Sequence, residues 1–520
     1  MSDTVLNKLE NGFFKENKKY LFLLLIIGIA SYLIRSFYFE SSVPLTFDAL
    51  GYFFYGVDIS ILGHLPKNYF LANNLWSIVL SLFFQSIQYE HTIEMMDLQK
   101  NVSMFFSIIT IIPIYFLCRK FFEPKYSLIG ALIFAVEPRI IQNSMLGAIE
   151  PLYILLGTLT MVFFLSSNKK FVYVSFLFAA LTTIARAEGQ MLFFIISIIF
   201  FIRFRKEKLV IPKYLIAAGI FVLILTPILI HQSELEVSDS IFGRSSNVIT
   251  HHTQDPKLTD GESGLPFFIK GIENFPKYFV WDLIPIFIFF VPIGIFYLFK
   301  KIDWKKLLLI LWGVGISIPA FYIYSIPLQD TRYLFMLYPI FCVLSIFTIK
   351  KIDQHFKQKN LVLLFMVIAI FGLSFTFLEL KPTENVQKLE ISQILKEISN
   401  ESKVMNSFYP EDHYLESTAI PEKWNDFKNL FLIERIKGQD IRHSIPMLIK
   451  TISIDDFSSI EEYVNENHEL THIYIDEKED RPEFLKDIFN NENKYKFLVK
   501  EYDSKDFGYN YHIKIFRIVR

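Results

Sequence analysis

Eleven strongly apolar stretches, most of them close to membrane-spanning length, fill the first 380 or so residues of this 520-residue chain. About 20 apolar residues cross a bilayer core of roughly 30 Å, and a backbone in lipid must satisfy its own hydrogen bonds. A chain so built has few options besides a bundle of membrane helices. The stretches lie near 20–37, 102–118, 126–138, 149–166, 171–186, 190–203, 213–231, 278–299, 307–325, 333–349 and 360–378. Hydrophobic residues make up 52% of the chain, with 56 Phe, and the mean hydropathy is +0.35. These values exceed those of ordinary soluble domains. The expected class is a polytopic α-helical membrane protein of about eleven spans over 1–380, followed by a soluble α/β domain over 381–520. The first apolar run follows a polar arm holding Lys8, Lys15, Lys18 and Lys19 and lacks a small-residue cleavage site, so it reads as an anchor.

Orientation follows from the connections. With a cytoplasmic N-terminus, the inside loops 119–125, 166–170, 203–213, 300–306 and 350–360 carry eighteen Lys and Arg. The outside segments are more than three times longer and carry about ten. The positive-inside rule then puts 381–520 outside, the expected setting being a plasma membrane. That tail holds 20 Lys+Arg against 27 Asp+Glu, and its acidity disfavours anionic headgroups and nucleic acid as partners. Strand-like runs at 403–408, 471–476, 497–502 and 509–519 alternate with helical ones at 458–467 and 482–490. Cys118 and Cys342 both fall in apolar stretches and give neither a disulfide framework nor a metal pattern.

Candidate chemistry therefore sits at the outer span ends and their loops. The segment 38–101 is too long for a simple connection, and its runs 47–66 and 73–87 read as interfacial helices. Asp48 opens the first of these, where an acid can cap a helix or act as a carboxylate base at the membrane surface. Arg139, Arg186 and Arg332 fall at outer span ends, where a guanidinium must be paired, wetted or functional. Arg186 has Glu188 nearby in sequence and Arg139 has Glu137, so structural ion pairs are the plain alternative. Glu150 begins a span beside Pro151, a place that also suits the helix dipole. His251 and His252 lie in the outer loop 232–277, which is a candidate lid.

Several of these segments resemble one known superfamily. Asp48-Ala-Leu-Gly-Tyr52 with Gly63-His-Leu-Pro66 resembles the first outer loop of GT-C membrane glycosyltransferases, among them protein O-mannosyltransferases and aminoarabinose transferases. Leu98–Ser144, Gly147–Leu152, Arg186-Ala-Glu-Gly189 and Asp330-Thr-Arg-Tyr-Leu334 with Tyr338-Pro339 continue the likeness in order. Three features depart from it. Ala49 replaces the usual Glu after the first Asp, Leu71–Leu75 stands where the aminoarabinose transferases have Lys-Pro-Pro, and no W-W-D-x-G signature of oligosaccharyltransferase is present. The last absence argues against whole-glycan transfer to Asn.

The resemblance implies a hexosyl- or pentosyltransferase that uses a polyprenyl-phosphate sugar donor and a lipid or protein acceptor, with inversion. Asp48 would be the general base, and Arg332, Arg186 and Arg139 would contact the donor phosphate. Glu150, His251 and His252 would steer the acceptor or hold a divalent metal, with no particular metal specified. The alternative from another class is a non-enzymatic transporter or flippase of lipid-linked sugars. Charges paired across helices at mid-span would favour it, and the sequence shows almost none.

Overall fold

The structure, a computed structural model, describes residues 3–41, 43–67, 71, 73–85, 89–235, 265–325, 330–379, 382–398, 402–407, 420–436, 450–454, 457–479 and 481–520. The chain divides into two units. One comprises 1–39, 55–85 and 99–380, and the other 40–54, 86–98 and 381–520.

The first unit is a polytopic helical bundle. Its elements, with two helices that run into it from the second unit, are α1 (Asp3–Tyr38), α2 (Phe47–Leu62), α3 (Leu75–Phe84), α4 (Thr92–Arg119), α5 (Pro124–Val136), α6 (Pro138–Ser144), α7 (Glu150–Phe164), α8 (Lys170–Ala185) and α9 (Gln190–Phe204). They continue as α10 (Val210–Glu234), α11 (Leu265–Leu283), α12 (Val291–Phe299), α13 (Trp304–Ile323), α14 (Tyr338–His355) and α15 (Lys359–Glu379). Among the described residues, seven segments are long and apolar enough to cross a membrane: Lys19–Tyr38, Thr92–Arg119, Ala187–Phe204, Val210–Glu234, Trp304–Ile323, Thr331–His355 and Leu361–Leu378. The other four expected spans are shorter helices or interrupted ones. α5, α7 and α8 have 13, 15 and 16 residues, and the stretch 278–299 is split between α11, a 3-10 turn and α12.

Proline sets these boundaries. Pro124, Pro138, Pro151, Pro292 and Pro339 stand in the first turns of their helices, where the missing N–H costs nothing. Glu137 precedes Pro138 and is pushed into extended backbone (φ −61°, ψ 117°), so α5 stops at Val136 and restarts as α6. Beyond its polar N-terminal arm, α1 leaves Phe22, Leu25, Ile29, Leu33 and Phe37 exposed, as a lipid-facing span does.

The bundle also holds a buried charge with no acidic residue within a helical turn of it in sequence to mark it. Arg35 is fully buried near the end of α1. Its guanidinium donates to Ser144 Oγ (3.0 Å), Ser107 Oγ (2.9 Å), the Ala135 carbonyl (3.1 Å) and Ser31 Oγ. Serines and carbonyls from α4, α5 and α6 thus replace the hydration shell that burial removes.

In the second unit, β1 (Val404–Ser407) and β2 (Lys450–Ser453) pair in parallel. β3 (His472–Asp476), β4 (Leu498–Asp503) and β5 (Ile513–Ile518) form an antiparallel sheet in the order β3-β5-β4. Asn406 joins the two sheets by bonding both backbone groups of Tyr474. Helix Pro382–Ile398 supplies Ile391, Ile394 and Leu395 to the same core as Ile473, Ile475, Ile513 and Ile515. Helix Trp424–Ile436 packs on the start of α2, where Phe427 stacks on Phe53 with ring centroids 6.1 Å apart. His91 bridges Lys423, and Thr92 N–H donates to the Glu422 carbonyl at 2.8 Å.

Candidate active site

Three elements of the bundle converge on one carboxylate. Glu150 is the first residue of α7, and its arrival is fixed from below. Gly147 takes a left-handed conformation (φ +72°) that a side chain would strain, and its carbonyl accepts from Trp76 Nε1 (3.0 Å) and Gln99 Nε2 (2.8 Å). Ser103 holds the next carbonyl, that of Ala148, at 3.3 Å. Glu150 itself is 2% exposed.

Arg186 reaches it from the break between α8 and α9. The backbone there is extended (φ −148°, ψ 135°), and Ala187–Gly189 form a 3-10 turn. A Cβ on Gly189 would lie 2.6 Å from the Thr182 backbone, so only glycine lets this turn close against α8. Arg186 Nη1 donates to Glu150 Oε1 at 2.8 Å and Nη2 to Glu188 Oε1 at 3.3 Å. Its guanidinium is flanked by Tyr333 and Tyr153, 5.1 and 5.7 Å from their ring centroids. Asn73 Oδ1, from the segment before α3, accepts from Ala187 N–H at 3.3 Å.

Arg332 comes from the 3-10 turn Thr331–Leu337. Asp330 caps that turn through Arg332 N–H (2.9 Å) and grips the side chain at Nε (2.7 Å) and Nη2 (2.6 Å). Arg332 Nη1 then lies 3.7 Å from Glu150 Oε1. The side chain is 27% exposed against 12% for Arg186, so Arg332 is the more accessible of the two cations. Glu150 Oε2 and the Tyr153 hydroxyl are buried with no hydrogen-bond partner among the described residues.

The other expected site residues lie elsewhere. Arg139, at the start of α6, donates to the carbonyls of Ile284 (3.2 Å) and Trp281 (2.9 Å) and sits over the Trp281 and Phe377 rings. It braces the interrupted region after α11, and among the described residues it forms no ion pair with Glu137. Asp48 belongs to the second unit, exposed on the first turn of α2. Asp58, ten residues on, is fully buried. His251 and His252 fall outside the described residues.

Among the described residues no three His, Cys, Asp or Glu side chains converge as metal ligands. A divalent cation at Glu150 Oε1 would share that oxygen with two guanidiniums, an arrangement the existing charges oppose. Below the site, an apolar groove of about 470 Å³ runs between α11, α12, α13 and α14, lined by Phe279, Leu309, Val314 and Phe341. Leu337, the last residue of the turn carrying Arg332, closes part of it.

Solved polytopic membrane proteins share this fold. The chain is similar to the crystal structure of the Archaeoglobus fulgidus oligosaccharyltransferase in complex with Zn and sulfate, at a TM-score of 0.52 and 13% identity over 87% of this chain and 68% of that one. It is also similar to ArnT from Cupriavidus metallidurans bound to undecaprenyl phosphate, at a TM-score of 0.50 and 9% identity over 97% and 98% of the two chains. No protein-family model matches the sequence, and no curated protein matches it.

Of the site, the sequence reading named Glu150, Arg186 and Arg332, and Glu188 as a partner of Arg186, but did not link Glu150 to either arginine. Asp330 was legible as an Asp two residues before Arg332, the spacing at which an acid caps a turn. Tyr153 and Tyr333 carried no signal, since aromatic residues fill every span.

Proposed function

We propose that this chain is a polyprenyl-phosphate-sugar-dependent glycosyltransferase. It moves a hexosyl or pentosyl group, with inversion, to a lipid or protein hydroxyl on the outer face of the plasma membrane. The N-terminus is then cytoplasmic and 381–520 extracytoplasmic. The observation that supports the reading most is the assembly of Glu150, Arg186 and Arg332 from three separate elements within a GT-C fold.

Negative charge grows on the phosphate as the sugar–phosphate bond breaks, and fixed guanidiniums stabilise that charge without reorganising. Arg332 is the donor ligand in this reading because its accessible side chain is aimed by Asp330. Arg186, clamped between two tyrosines and two carboxylates, keeps Glu150 in place and adds positive potential. Glu150 Oε2 is suited to accept a hydrogen bond from a substrate hydroxyl. The apolar groove is suited to a polyprenyl chain, and the solved neighbour that holds undecaprenyl phosphate is consistent with such a donor. Asp48, on an exposed helix start, takes the proton of the acceptor hydroxyl.

Purified protein incubated with polyprenyl-phosphate sugars and an acceptor extract should release polyprenyl phosphate. Movement of intact donor across vesicles, with no release, would favour the transporter instead.

A further inference from the structure

The end of the bundle opposite the Arg332 turn carries a second concentration of charge that the proposed reaction does not use. Four cations from three spans meet there. Arg119 ends α4 and Lys120 follows it, Arg203 is in the last turn of α9, and Lys305 is in the first turn of α13. The Arg203 guanidinium and Lys305 Nζ lie over the same Trp304 ring, 4.7 and 6.0 Å from its centroid, and Lys120 lies within charge–charge range of Lys305, Arg203 and Arg119. All four are half-buried. Burial, and then these three neighbours, hold the Lys120 ammonium below the ordinary lysine range.

The local carboxylates are committed elsewhere. Glu207, the acid in range of Arg203, is held by Lys169 (2.6 Å) and Lys213 (2.7 Å). Glu123 pairs with Lys350 at 3.0 Å, and Asp303 caps α13 through Lys306 N–H. Among the described residues, Arg119, Lys120 and Lys305 have no carboxylate partner. Arg203 is rigidly placed, since it donates to the carbonyls of Phe164 and Ser166 and lies 4.7 Å from the Trp304 ring centroid. Half-buried like charges converging without a counter-charge are unfavourable unless an anion joins them.

We propose that Arg119, Lys120, Arg203 and Lys305 form a binding site for the phosphate of an anionic phospholipid. The surroundings suit a lipid rather than a free anion. Trp304 is an indole of the kind that marks a membrane–water interface, and Phe201, Ile202 and Ile302 beside these cations stay exposed where acyl chains would run. The site does not depend on the glycosyl-transfer reading.

The test uses the full chain in lipid nanodiscs of phosphatidylcholine, alone, with added phosphatidylglycerol, or with inorganic phosphate in the buffer. Phosphatidylglycerol should raise the thermal unfolding midpoint by about 2–4 °C, as a ligand of the native state does. Inorganic phosphate should not reproduce the rise, and Lys120→Gln with Lys305→Gln should abolish most of it. Should the double variant fold poorly, wild-type protein released from mixed discs into a mass spectrometer should retain phosphatidylglycerol in preference to phosphatidylcholine. Equal midpoints in the two lipids, a full rise from phosphate alone, a rise that survives the double substitution, or equal retention of the two lipids would each overturn the assignment.

Discussion

Arg332 and Arg186 carry the same charge and share Glu150, yet their surroundings give them different parts. Arg186 is enclosed by Tyr153, Tyr333, Glu150 and Glu188, and its removal would leave a buried carboxylate unneutralised. Arg332 is anchored on one side by Asp330 and exposed on the other. Arg332→Ala should therefore weaken donor use by about 10- to 100-fold, the worth of one charge-assisted bond, while the protein still folds. Arg332→Lys keeps the charge but loses the fork, and should recover only part of that loss. Steady-state rates against donor concentration check both, and unchanged donor affinity and turnover in Arg332→Ala would remove Arg332 from the site. The three residues were legible because Arg or Glu at a span end is costly without a reason. Arg35 has the same cost and was passed over, since its partners are serines and carbonyls that leave no charge pattern in sequence.

At the scale of elements, proline and glycine account for much of what sequence made readable. Pro138 separates α5 from α6, Pro151 opens α7, and Gly189 closes the turn that aims Arg186. The interruption of 278–299 was missed although Pro285 and Pro292 mark it, because hydropathy alone does not register a broken helix. In the tail, β1, β3, β4 and β5 and the helices Ile460–Glu466 and Glu483–Asn490 matched runs visible in sequence. β2 and helices Pro382–Ile398 and Trp424–Ile436 did not, because their polar faces hide the apolar positions. The C-terminal sheet makes a pH prediction. Burial holds His472 below the ordinary imidazole range, even though its Glu501 partner at 3.2 Å acts in the opposite sense. The unfolded chain then takes up the proton first, so stability is lost as pH falls below about 6.5. Asp487, hydrogen-bonded by Lys494, Tyr495 and Asn491, is held down to about 2, and its contribution is lost as pH falls from about 4 toward that value. The protection factors of the β3 amides, exchange rates corrected for their intrinsic pH dependence, should fall in these two windows, and His472→Gln should remove the upper one. An upper step that persists in His472→Gln would assign it to another group.

At the scale of the whole molecule, the fold persists although identity to the solved neighbours is 9–13%. What is shared at this level of identity is the fold and not the residues. Orientation in the membrane rests on the eighteen basic residues of five short loops. Protease added to intact cells should trim 381–520 and spare the N-terminal arm. A protected tail would reverse the topology and move the proposed chemistry to the other face. The proposed mechanism uses Asp48 as the base, and turnover of Asp48→Asn tests that role most directly. The amide is nearly isosteric, but it cannot take a proton from the acceptor. Release of polyprenyl phosphate by the folded variant should fall by about 10²–10⁴-fold, whereas losing a negative charge on the first turn of α2 would by itself cost about 0.3–1 kcal/mol of stability and leave turnover in place. A folded Asp48→Asn protein that transfers sugar at a near-normal rate would contradict the mechanism and make Asp58 or Glu150 the next candidate.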